Sequence, residues 1–216
     1  MKRTKRIVMS VNLTNNAGIS AKGFLTIKDV TDPDSIETLV SKSNAIHFEN
    51  LSEALALSIA NKSTGGISEM HFGNGGTSVD PTGVITYLPA NASGVNADLY
   101  NQTYYKVIDD NSALNTDATR NKIEVRHTAG QVYTDIVITC LLDYGEPSGQ
   151  QAFDNTANFD GTYVFDELGL KSWGGAANTG KLLTHVIFHP VQKSLNRLIQ
   201  IDYSVRIQTL SNLSSI

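Results

Sequence analysis

Apolar and polar residues alternate along several stretches of the chain, most regularly near its C-terminal end. There Ile199, Ile201, Tyr203, Val205 and Ile207 occupy one parity and Gln200, Asp202, Ser204, Arg206 and Gln208 the other. A period of two is the signature of an extended strand with one face in a core. Residues 6–13 carry the same signature through Ile7, Met9, Val11 and Leu13, and predict the first strand. After a turn-rich stretch through Asn15, Asn16 and Gly18, the run Phe24, Leu25 and Ile27 predicts a second that stops near Asp32-Pro33. Residues 83–88, 102–108, 122–127 and 131–142 read as further strands. The short connection 128–130 joins the last two as a hairpin. Residues 182–188 form a continuous apolar run closed by Pro190, as expected of a strand buried on both faces.

One stretch has a different period. Leu51, Leu55 and Ile59 recur every four residues, with Ala54 and Leu57 widening the stripe, and predict a helix over 50–62. Asn50 is placed to cap its first turn, with Glu53 three residues on as in a capping box, and Gly65 and Gly66 to end it. Its apolar stripe must lie on a sheet or on a partner subunit. Taken together, the pattern predicts a mainly β protein: one antiparallel β-sandwich domain over 1–216, jelly-roll-like, with a short helical insertion near 50–62 and a long polar loop near 143–158.

Composition agrees with strands joined by turns. Hydrophobic residues make up 40% of the chain and charged residues only 18%, below the roughly one quarter of an average soluble domain. Asn, Thr, Ser and Gly fill the difference, residues that suit the pleated backbone or accept turn conformations. The single cysteine, Cys140, excludes an internal disulfide and fits assembly in a reducing cytoplasm; its apolar surroundings mark it as a core residue. Lys2, Arg3, Lys5 and Arg6 imitate the start of a signal peptide, yet the apolar stretch behind them breaks at Asn12. No run approaches the roughly 18 apolar residues of a membrane helix, so a soluble protein is expected.

The net charge of −4 hides an asymmetry. No Lys or Arg lies between Arg126 and Lys171, whereas Asp135, Asp143, Glu146, Asp154, Asp160, Asp166 and Glu167 all do. Four basic residues stand within the first six positions, and Lys171, Lys181, Lys193, Arg197 and Arg206 follow the gap against the lone Asp202. Such a split fits either a solvated acidic loop or a surface that meets a basic one on the next subunit.

Motifs for chemistry are weak. His185 and His189 stand too far apart along a strand, roughly 13 Å, to share a tetrahedral metal. The run from His71 to Thr77 contains Gly73-Asn74-Gly75-Gly76 but lacks a P-loop lysine, and reads as a tight hairpin turn. Asp166 and Glu167 are adjacent, so on a regular strand they face opposite sides and make a poor acid/base couple. Asp109, Asp110 and Asp117 do not match an EF-hand, and no G-x-S-x-G occurs. An acidic total without a basic aromatic stripe speaks against a nucleic-acid face. No catalytic residue, cofactor or metal is expected.

Several phrases carry a resemblance. LVSKSNAIHFENLSEALALSIAN, EMHFGNGG, GVITYLPAN, LYNQTYYKVID, LLDYGEPSGQQAFDN, YVFDELGLKS and LLTHVIFHPVQKSLNR, spread from Leu39 to Arg197, resemble virion structural proteins of tailed phages, including contractile-tailed phages of cyanobacteria. The resemblance implies a non-enzymatic, homo-oligomeric β protein of the virion, assembled in the host cytoplasm, with the head–tail neck (connector or collar ring) as its place. Its partners would be itself and neighbouring virion proteins, with neither membrane nor specific nucleic acid. Glu167-Leu168-Gly169-Leu170 also resembles modules of tail fibres and baseplates, which keeps an attachment role open. A carbohydrate-binding or carbohydrate-degrading module using the acidic stretch is a third possibility. It would need Asp143, Glu146, Asp154 and Asp160 to line a shared cleft. Candidate assembly contacts are Lys2, Arg3, Lys5, Arg6, Asp143, Glu146, Asp154, Asp160 and the helix positions Leu51, Leu55 and Ile59.

Overall fold

The structure, a computed structural model, describes residues 17–150 and 162–211. The strand expected at 6–13 lies outside them. The first sheet takes β1 (Ala17–Asp29), β2 (Glu37–Ser43), β8 (Lys122–His127), β9 (Tyr133–Leu142) and β12 (Ile199–Ser211), in the order β2-β1-β12-β9-β8. The second takes β3 (Ala45–Ile46), β4 (Ile67–Gly73), β7 (Gln102–Val107), β10 (Thr162–Ser172) and β11 (Leu182–Ser194), in the order β3-β11-β10-β4-β7. Every pairing is antiparallel. A small ribbon, β5 (Thr77–Val79) with β6 (Ile85–Tyr87), is hydrogen-bonded into neither sheet. The helix α1 (Phe48–Ile59) follows β3 directly. The expected mainly β, antiparallel sandwich with one short helix is what the chain forms.

Alternation decides which side chains meet between the sheets. From the first come Leu25, Ile27, Ile138, Cys140, Leu142, Ile199, Ile201, Tyr203 and Val205; from the second come Met70, Phe72, Tyr163, Phe165, Leu168, Leu170, Val186 and Phe188, all in one buried cluster. Phe165 is packed edge-on against both Phe72 and Phe188. The run 182–188 is buried throughout, as its continuous apolar pattern predicts. The strand does not close at Pro190, however, but continues to Ser194. The proline is tolerated because it falls where the β10–β11 register shifts, between the pairs Phe165↔Val191 and Glu167↔Ile187, so no regular ladder bond is demanded of it.

Cys140 is fully buried, and that burial pushes its thiol up to about 12. A thiol reagent at pH 8 should therefore leave the native protein unlabelled and react only as denaturant unfolds it. Stoichiometric labelling of the folded chain within minutes would show that this core is open.

The helix departs from its expected frame in three ways. It begins at Phe48, because β3 feeds it at once and His47 is the cap: the His47 Nδ1 accepts the Asn50 N–H at 3.2 Å while Nε2 contacts the Gly94 carbonyl at 2.9 Å. Asn50 thus lies inside the first turn and donates its side-chain amide to the Leu182 carbonyl, and Glu53 pairs with Lys181 instead of completing a capping box. The helix ends at Ile59, where Asn61 takes a left-handed conformation, before Gly65 and Gly66 are reached. Finally, of the stripe Leu51, Leu55 and Ile59, only Leu51 is buried with Ala54, and Ile59 is 81% exposed.

Candidate functional site: a buried carboxylate clasp and an open apolar end

The outer face of the second sheet is polar yet covered. Residues 74–101, which carry β5 and β6, fold back over it, and the side chains of β10 hold them. Along β10 the inward residues are Tyr163 and Phe165, then Leu168 and Leu170. The parity changes between them because β10 bulges at Asp166. Both carboxylates therefore point outward, contrary to the expectation of opposite faces from a regular strand.

Asp166 accepts the amides of Gly76 at 2.9 Å and Thr77 at 2.8 Å, together with the Thr77 hydroxyl. Glu167 accepts the amides of Gly75 at 3.1 Å, Tyr100 at 2.9 Å and Asn101 at 2.8 Å. His185 completes the clasp. Its Nδ1 accepts the Asn91 amide at 2.8 Å, so the ring proton sits on Nε2 and is donated to Glu167 at 3.0 Å. Burial pulls both acids toward neutrality. For Glu167 the bonds from His185 and the three amides prevail and its pKa lies below the usual value, whereas for Asp166 burial prevails and the pKa is raised.

This clasp also replaces the hairpin expected at 71–77. The strands flanking that run belong to different sheets, and its glycines serve close approach. A Cβ on Gly73 would stand 2.4 Å from the Asn101 carbonyl oxygen and 2.5 Å from a Glu167 oxygen; one on Gly75 would stand 2.7 Å from the Asn101 nitrogen. Nearby, Glu69 meets His71 at 2.9 Å and Lys171 meets Asp98 at 2.7 Å. Burial lowers the His71 pKa. His189 is exposed, touching Tyr87 at 3.3 Å, and is not brought to His185. Among the described residues no three His, Cys, Asp or Glu side chains converge as a metal site.

The other acidic candidates also have partners in their own chain. Glu146 binds Lys106 at 2.5 Å and accepts the Asp143 amide at 2.9 Å. Asp143 binds Arg120 and accepts the Tyr144 amide, and these bonds hold its pKa below the usual range. Asp135 pairs with Arg206 across the first sheet at 2.7 Å. The start of the polar loop is thus ordered by its own carboxylates. Lys2, Arg3, Lys5, Arg6, Asp154 and Asp160 lie outside the described residues.

Among the described residues, one end of the first sheet is left with exposed apolar side chains. The first sheet extends past the second, and α1 lies over only part of the overhang. Two grooves flank the helix and share Leu51 and Leu55. One reaches Ile136, Val125 and Ile207, the other Ile19, Phe48 and Ile59. Ile19 is 60% exposed, Phe48 70% and Val125 71%. Leu55 and Ile59 were legible as a stripe in the sequence; that Ile19, Phe48 and Val125 join them was not, because they come from separate elements.

Fold and surface together define an antiparallel β-sandwich with a clasped polar face and an open apolar end. Family models, curated proteins and solved structures give no significant match to this chain. Among the described residues no helix is long and apolar enough to cross a membrane.

Proposed function

We propose that this chain is a non-enzymatic structural subunit of a tailed-phage virion, a homo-oligomeric ring component of connector or collar type at the head–tail neck. Its partners are further copies of itself and neighbouring virion proteins, and it enters the particle after assembly in the host cytoplasm. The observation that carries this reading is the open apolar end, where Ile19, Phe48, Ile59 and Val125 stand exposed around the helix. Large contiguous apolar surface on a folded domain marks a contact with another macromolecule. The sequence phrases that resemble virion proteins supply the particle. The described carboxylates support a structural role, since each of Asp135, Asp143, Glu146, Asp166 and Glu167 is engaged by its own chain.

The test is incorporation into particles. Phe48→Asp combined with Ile59→Asp should leave folding almost unchanged, since both side chains are exposed. Burying two such side chains contributes roughly 3 to 6 kcal/mol, so incorporation should fall at least tenfold. Incorporation equal to that of the parent would overturn the apolar end as the contact. Density for a labelled copy at the baseplate or fibres would keep the structural role and move its place.

A further inference from the structure

Among the described residues, both edges of the first sheet are unpaired at the same end. β12 pairs with β1 along its whole length, but β2 pairs with its other side only from Phe24 onward. The Asn44 N–H bonds to the Gly23 carbonyl, so Gly23 faces the β2 side. By the alternation of an antiparallel ladder, the backbone groups of Ala21 and Ile19 face the same way. No strand meets them among the described residues. At the opposite edge the Ile123 N–H points outward, to the Asp110 carboxylate, so Val125 and His127 also present their backbone groups outward. The register steps Ala21↔Ile207, Ile207↔Thr134 and Thr134↔His127 set the two open stretches at one level of the sheet.

Resting on the reading above, we propose that the β8 edge of one copy pairs antiparallel with the β1 edge of the next, Val125 opposite Ala21 and His127 opposite Ile19, joining copies head to tail. The sense of the pairing continues the alternation within the sheet. On the inner face it sets Val125 against Ala21 and brings Ile19 beside them, which extends the apolar floor beneath the helix from one copy into the next. On the outer face it sets Lys22 opposite Glu124, which also pairs with Lys122 and Arg126 of its own chain, so Lys22 would join an existing cluster. Charge selects this register: a slip of two residues either way would set Lys22 against Arg126 or Lys122, and a slip of one would turn the apolar residues outward. Because the two edges differ, the contact is heterologous, and such contacts close into rings when the rotation per copy allows.

Proline substitutions separate the edges. The N–H groups of Ala21 and Val125 point outward, so Ala21→Pro and Val125→Pro each remove an edge donor without removing a ladder bond of the chain. By sedimentation, the parent should be a multimer and each variant alone a monomer. A one-to-one mixture should form a dimer, because each variant keeps the edge that the other lacks. An assembling Val125→Pro beside a monomeric Ala21→Pro would mean that β1 edges pair with each other, overturning the proposal. Parent-like assembly of both variants would overturn the edge contact while leaving self-assembly intact. A parent that stays monomeric and outside particles would overturn both. If circular dichroism shows either proline variant unfolded, the charge pair replaces it: Lys22→Glu and Glu124→Lys should each weaken assembly at least fivefold and together restore it. Absence of restoration would overturn the register.

Discussion

Replacing Ile201 with Asp should leave no folded protein. Ile201 is completely buried, opposite Ile27 on one side and Cys140 on the other, within the hydrophobic cluster between the sheets. Burying an unpaired carboxylate there costs several kcal/mol beyond the lost packing. Domains have roughly 5 to 15 kcal/mol in all. Expression should shift to the insoluble fraction, while Ile201→Val, which costs roughly 0.5 to 1.5 kcal/mol, should express and melt cooperatively. Soluble Ile201→Asp protein with an unchanged melting point would contradict the central place of β12 in the core.

Removing Glu167 should have the second-largest effect. Glu167→Ala leaves three amides and the His185 N–H without their acceptor, in a site where the side chain is fully buried. Taking one partner from a buried charged network costs roughly 3 to 5 kcal/mol, to be read from urea unfolding. Glu167→Gln keeps the shape and one acceptor oxygen and should lose less. Acid gives an independent check. The folded pKa of Glu167 lies below its ordinary 4.5, so its ionisation favours folding above that range, and the advantage fades as pH falls through the folded value. Asp166, whose pKa is raised, works the other way: its ionisation opposes folding above its raised value, and protonation relieves that. The stability gap between the parent and Glu167→Gln should accordingly narrow on acidification. A gap constant from pH 7 to pH 3 would mean that the carboxylate charge does not hold residues 74–101.

Much of this protein was legible along the chain because strands write their burial as alternation. The Ile199 to Val205 parity, the 122–127 and 133–142 hairpin, and the doubly covered run 182–188 depend only on neighbours one or two residues apart, and all formed as that pattern requires. The helix was legible by its period, but its cap was not. His47 caps only because β3 delivers the chain there and the Gly94 carbonyl anchors its ring, a contact 47 residues away in sequence.

The clasp shows the same limit more sharply. Period-two reasoning separates Asp166 from Glu167, and it fails at one bulge, which depends on the register between β10 and β11 and leaves no local mark. The amides that the two acids bind lie 66 to 92 residues away, so the glycines at 73–76 looked like turn chemistry when they serve close approach. Exposure of the helix stripe was decided in the same way. An apolar period tells that a face needs cover; only the extent of the sheets decides that Leu51 receives it among the described residues and Ile59 does not. The sequence by itself determined the strands at 122–127, 133–142, 182–188 and 199–207 and the period of the helix, because these are settled by local alternation and apolar burial, whereas β2, β4 and β10 were not legible in it. The tertiary structure alone decided which polar groups meet and which apolar surface stays open, because those depend on register, bulges and sheet length summed over distant parts of the chain.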